Sequence, residues 1–297
     1  MGEFETMTTL AGWLGADSRG PASIYLVADS RITWFGSDQV GRMIVTGTWD
    51  YGRKTFAAQS SAEIFGYSGD VLFPTQTLGQ IIELIDRGVA SRQDGSPDKK
   101  LQWIVDCLER SCKSYPTTAD HGFSLLYCGR LGEGMACSFY AYSLEFKNGM
   151  LAGRTPIEIP TASGPLRYFD GEEQVAFGSG RSGFRESWRT WKSSEVGGTS
   201  RAVFSAFADH LKSCKDTYSG GPPQLVGLYR KGAAKTFGII WEQRRFFGGM
   251  EILDVDAERY VNWHNDLFEV CDPKSIKRAN GGQRQPRPRS LETRHKP

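Results

Sequence analysis

Two pairs of helical segments, each set between blocks of short β-prone runs, constrain the fold of this chain more than any other feature. Leu78, Ile81, Ile82, Ile85 and Val89 recur at helix spacing, as do Leu101, Ile104, Val105 and Leu108. That spacing puts the apolar side chains on one buried stripe. Asp94, Gly95, Ser96 and Pro97 break the first pair apart. Residues 184–192 and 201–214 supply the second pair. β-prone runs precede the first pair, at residues 7–13, 24–34, 43–46, 54–58 and 63–67. Others lie between the pairs, at 123–128, 137–143 and 174–177. Residues 225–230 and 234–241 form a hairpin about Lys231 and Gly232. Residues 16–23 read as a loop, and residues 147–173 as an irregular excursion. This order predicts an α+β fold, a four-layer αββα sandwich of two stacked antiparallel sheets flanked by helices.

Composition removes several function classes. The 297 residues carry a formal net charge of +2, so no charge-driven partner such as nucleic acid is implied. The longest apolar runs, such as 24–28 and 123–128, fall far short of the roughly 20 residues a membrane helix needs. Residues 1–6 lack the regions of a signal peptide, and a cytoplasmic protein is expected. None of the six cysteines forms a Cys-x-x-Cys pair, which predicts reduced, mostly buried thiols. The four histidines show no ligand spacing, so neither a metal site nor a cofactor is expected. From Lys274 the sequence turns to Lys, Arg, Gln, Pro and Gly. A disordered basic tail is predicted there, 274–297, leaving one domain over 8–273.

Five features carry chemistry, and each alone has a plainer explanation. Thr8 and Thr9 lie near the N-terminus. A threonine hydroxyl becomes a useful nucleophile when a base sits beside it, and a free α-amine on the same residue can serve. Ala28-Asp29-Ser30-Arg31 ends an apolar strand, and Lys54 opens another. Such a pair could hold an ammonium beside the nucleophile and favour its deprotonated form. Ala-Asp-Ser-Arg occurs twice; the copy at 16–19 has no strand before it, so Asp29 is the candidate. Phe65-Gly66-Tyr67-Ser68-Gly69-Asp70 leads into the first helix, and glycine there lets backbone N–H groups approach a ligand. Gly178-Ser179-Gly180 and Asp216-Thr217-Tyr218-Ser219-Gly220-Gly221 are loops whose hydroxyls and carboxylate could orient an amine.

In this order the features resemble the proteasome β-subunit family, including its bacterial relatives, from Thr8 to about Trp241. The resemblance implies an N-terminal-nucleophile hydrolase fold and a threonine peptidase. It implies that Thr8 attacks the carbonyl once the residues before it are removed, with its own α-amine relaying the proton. Lys54, held by Asp29, would lower the hydroxyl pKa. Ser179, Asp216 and Ser219 would orient the amine, and the Gly66 N–H would hold the oxyanion. Ile64, two residues earlier, would floor an apolar substrate pocket. A homo-oligomeric ring, a peptide or unfolded-protein substrate and an ATP-dependent unfoldase partner follow from the same resemblance. An amidase acting on a small molecule, and a silent structural ring subunit, are the alternatives. The sequence departs from the family in the long stretch between Thr8 and Asp29, in the insertion, and in Met7, where family propeptides commonly end in glycine. Residues 1–7 are then a propeptide, an added leader, or an upstream start followed by aminopeptidase removal of Met7.

Overall fold

The computed structural model describes residues 7–90, 96–116, 122–169, 174–253 and 261–292. The chain opens with an antiparallel hairpin, β1 (Leu10–Asp17) and β2 (Gly20–Ala28), in which Leu10 faces Ala28 and Asp17 faces Gly20. The segment expected as a loop therefore continues both strands to a tight turn. Alternation decides what each side chain meets. Leu10, Leu14, Ile24, Leu26 and Ala28 point one way, into an apolar cluster shared with Ile64, Leu126 and Cys128. Ala11, Trp13, Tyr25 and Val27 point the other way, against Phe184, Trp188, Phe204 and Phe207. Both faces are covered, which is why these strands read as nearly continuous apolar runs.

β2 pairs on its far edge with β13 (Gln224–Tyr229), which continues through the expected hairpin to β14 (Lys235–Trp241), β15 (Arg244–Phe247) and β16 (Met250–Glu251). β10 (Gly164–Pro165) and β12 (Ala176–Phe177) join β1, and β17 (Trp263–His264) joins β14 in parallel. A six-stranded sheet contains β5 (Thr55–Ala57), β6 (Glu63–Gly69), β7 (Gly122–Leu131), β8 (Ser138–Lys147), β9 (Met150–Glu158) and β11 (Arg167–Tyr168). Helices α1 (Leu72–Asp86) and α2 (Pro97–Cys112) pack their apolar stripes on its Phe65, Tyr67, Leu125 and Tyr127. α3 (Arg181–Lys192) and α4 (Ser200–Lys212) cover β1 and β2.

The four-layer αββα sandwich expected from the sequence is corrected. Among the described residues strand accounts for 39% and helix for 24%, with four helices longer than one turn, and the strands divide among several sheets. β3 (Ile32–Ser37) and β4 (Met43–Trp49) form a hairpin outside the two larger sheets, as do β18 (Cys271–Asp272) and β19 (Lys277–Arg278). β9, β10 and β11 come from the segment, 147–173, whose composition had suggested irregular chain. In the supposed excursion, Asn148 and Gly149 both take positive φ, 52° and 75°, and turn β8 directly into β9, as a two-residue hairpin requires. Part of the expected tail is also anchored, as far as Leu291, which packs against the cluster under α3 and α4. Gln285 is buried with its N–H on Glu269 Oε1, and Arg287 bridges Asp209 and Asp266. The expected break at 94–97 lies partly outside the described residues, as do residues 1–6 and 170–173.

Candidate functional site

The site forms where β1 begins and β2 ends. Thr9 lies just before β1 and Asp29 just after β2, so pairing of the hairpin brings them together. Thr9 N–H donates to Asp29 Oδ1 at 3.0 Å, and Asp29 N–H returns a bond to Thr9 O at 3.1 Å. Lys54, one residue before β5, donates from Nζ to the same Oδ1 at 2.8 Å. Asp29 Oδ2 accepts the N–H groups of Arg31 and Gly220, each at 3.0 Å. One carboxylate thus fixes four segments of chain, and both it and Lys54 are sealed from solvent. Burial pushes the Lys54 ammonium below its ordinary value, and the charge and hydrogen bond of Asp29 oppose that shift.

The two copies of Ala-Asp-Ser-Arg differ in burial, although the first, against expectation, also follows a strand, β1. Asp17, from the first copy, sits at the tip of the β1–β2 hairpin and pairs with Arg230 and Arg19 at the surface. The hydrogen bond from Arg230 lowers its pKa. Asp29, from the second copy, is the buried one.

Thr8 is buried beside this cluster, and its Oγ1 has no hydrogen-bond partner among the described residues. Ser179 and Ser219 both donate to Asp216 Oδ2 at 2.7 Å, and Tyr218 N–H donates to Oδ1 at 3.0 Å. The two loops are therefore joined through Asp216. Gly180 connects them to the N-terminus: its N–H reaches Thr8 O at 3.4 Å, and a Cβ there would come within 1.8 Å of Thr9 Oγ1. Only glycine permits that approach.

Two expected roles are corrected. Successive N–H groups of a strand point to opposite sides. Tyr67 N–H reaches Lys54 O on the β5 side, whereas Asp70 N–H reaches Gly122 O on the β7 side. The Gly66 N–H shares the Asp70 direction and points at its register partner Leu126 in β7. It belongs to the sheet ladder and is not offered to an oxyanion. The glycine has another cause, since a Cβ at Gly66 would lie 2.6 Å from Leu10 Cδ1. Ile64 is likewise fully buried in the cluster between the two larger sheets, so it lines no open pocket.

Two residues of the cluster escaped the sequence. Gln224, buried at the start of β13, accepts the Lys54 N–H on Oε1 at 2.9 Å. Its Nε2 donates to Ser30 Oγ at 2.9 Å and to Asp29 O at 3.3 Å, so it clamps both members of the ion pair by their backbones. His210, on α4, places Nε2 3.1 Å from Thr9 Oγ1, and Thr9 Oγ1 donates to Ser219 Oγ at 2.8 Å. Burial lowers the His210 pKa, against the charges of Asp216 and Asp29. Its signal was its position: Val203, Phe207 and His210 fall on one buried helix stripe, where a histidine needs a partner.

Among the described residues, no group of His, Cys, Asp or Glu could hold a metal ion. No described helix is long and apolar enough to cross a membrane. No family model matches the chain, and no curated protein matches its sequence significantly.

Proposed function

We propose that this chain is a threonine-type amide hydrolase whose nucleophile is Thr8, acting on peptide bonds after the residues before Thr8 are removed. The observation that carries the reading is the sealed Lys54–Asp29 pair, tied through the Thr9 N–H to the residue next to Thr8. A buried cation stabilises an alkoxide far more than a solvated one would.

On this reading the Thr8 Oγ–H proton passes to the freed α-amine as Oγ attacks the carbonyl carbon. The amine then returns the proton to the leaving nitrogen as the C–N bond breaks, leaving an ester on Thr8. Water, giving its proton to the same amine, cleaves the ester and regenerates the hydroxyl. Ser219 and Ser179 are both fixed by Asp216, and on this reading they orient that amine. No step is routed through Gly66.

The resemblance to proteasome β-subunits adds a homo-oligomeric ring, an unfolded-protein substrate and an ATP-dependent unfoldase as partner. It is also why peptides are preferred here over small-molecule amides, and filled reactive positions speak against a silent subunit. The test is a panel of fluorogenic peptides and simple amides, with light scattering on the same sample. Peptide cleavage by a multimer, lost in Thr8→Ala, supports the reading. Cleavage of simple amides alone by a monomer replaces it with the amidase, and unchanged turnover in Thr8→Ala overturns it.

A further inference from the structure

Proton bookkeeping around Asp216 fixes the direction of a buried hydrogen-bond chain. An ionised carboxylate only accepts, so Ser179 and Ser219 must each spend their single proton on Asp216 Oδ2, both at 2.7 Å. The 2.8 Å contact between Ser219 Oγ and Thr9 Oγ1 must then be donated by Thr9. Thr9 has no proton left for His210, whose Nε2 lies 3.1 Å from Thr9 Oγ1. That contact therefore needs Nε2–H as donor. His210 Nδ1 is left as a lone pair, and it has no partner among the described residues. The opposite tautomer would require Ser219 to donate twice. The ring has little freedom to turn away, because the Gly180 and Gly183 backbones pack against it: a Cβ at either would come within 2.7 Å of a ring atom.

We infer that His210 is a positioning residue for the proposed hydrolysis: its Nε2–H starts a one-way chain through Thr9 and Ser219 to Asp216 that commits one lone pair of Ser219 Oγ to Thr9 and leaves the other for the Thr8 amine. This role rests on the hydrolase reading above. With one lone pair of Ser219 taken by Thr9, the other is free for an amine N–H. The amine then presents its own lone pair to the Thr8 hydroxyl. Without the His210 donor, Thr9 can rotate its hydroxyl away; Ser219 Oγ still accepts, because Asp216 holds its proton, but the Thr9 bond no longer fixes which of its lone pairs is left for the amine. Thr9 is then more than the second member of a Thr-Thr pair, since it couples α4 to the amine-holding loop.

The test combines a spectroscopic readout with kinetics. Nitrogen NMR of imidazole-labelled protein at neutral pH should show His210 as the Nε2–H tautomer, with the Nε2 signal shifting in Thr9→Val. In steady-state assays His210→Leu and Thr9→Val should each lower kcat by about tenfold or more, the scale of a misplaced catalytic group, with KM nearly unchanged. The double variant should be no worse than either single, since both break one chain. His210→Gln, which can still donate to Thr9, should restore most of kcat. An Nδ1–H tautomer overturns the inference whatever the activity. Full kcat in Thr9→Val, or in a folded His210→Leu, overturns the positioning role and leaves the hydrolase reading intact. A wild-type protein that holds the Nε2–H tautomer but hydrolyses nothing overturns the hydrolase reading, and the role with it.

Discussion

Lys54 donates its ammonium to Asp29 Oδ1 at 2.8 Å, with both side chains withdrawn from solvent. Removing one partner of such a pair leaves the other charge buried, at a cost of about 3–5 kcal/mol. Three backbone N–H groups, from Thr9, Arg31 and Gly220, remain on Asp29, which puts Lys54→Ala at the low end. The variant should fold with a reduced denaturation midpoint and lose at least about 10²-fold in kcat/KM. Chemical denaturation and turnover on the same preparation check both parts. Wild-type turnover would remove Lys54 from the chemistry.

Asp216 should be the next most sensitive position. Its Oδ2 holds both Ser179 and Ser219. Asp216→Asn keeps the shape but cannot accept from both serines and Tyr218 as the carboxylate does. An effect of about 10²-fold on kcat is expected, typical of a disturbed proton-transfer group, with little change in the denaturation midpoint. Equal kcat would mean that the joined loops are structural only.

The sequence was most legible where spacing and order carry the information. Thr8, Asp29, Lys54, Ser179, Asp216 and Ser219 were singled out from five separate segments, and β1–β2 pairing, the Asp29 carboxylate and the Asp216 carboxylate gather them. What spacing does not carry is direction. Whether the Gly66 N–H faces β5 or β7 depends on ladder parity, which the Tyr67 and Asp70 bonds set. Whether Ile64 lines a pocket or a core depends on how the sheets meet. His210 and Gln224 contact the site from α4 and β13, elements distant in sequence, so no local motif announces them. The Asn148-Gly149 hairpin signal was present but masked by the polar composition around it. The described residues after Lys274 are held by Gln285 and the Arg287 charge pairs, not by an apolar run, so hydropathy did not register them.

Acid should destabilise the protein through its buried histidines. Burial pushes His264 down to about 4 from 6.5, with a backbone bond at Asn262 opposing. The folded pKa lies below the unfolded one, so the folded state favours the neutral ring. The contribution is complete above pH 6.5 and is lost as pH falls toward about 4. At 1.36 kcal/mol per unit the loss is about 3 kcal/mol, and His210, also lowered by burial, adds in the same direction. Urea unfolding at pH 7 and pH 4 should show this loss, and His264→Gln should remove most of it. An equal loss in the variant would assign the acid sensitivity elsewhere.

The central claim is that Thr8 becomes the first residue and acts as the nucleophile. The most direct measurement is the intact mass of the protein before and after incubation with a peptide epoxyketone, which needs both a threonine hydroxyl and a free amine on one residue. The account predicts a chain beginning at Thr8 that gains one equivalent of probe, mapped to Thr8 and absent in Thr8→Ala. A chain that retains Met7 and takes up no probe, or a Thr8→Ala variant that labels like wild type, would contradict it.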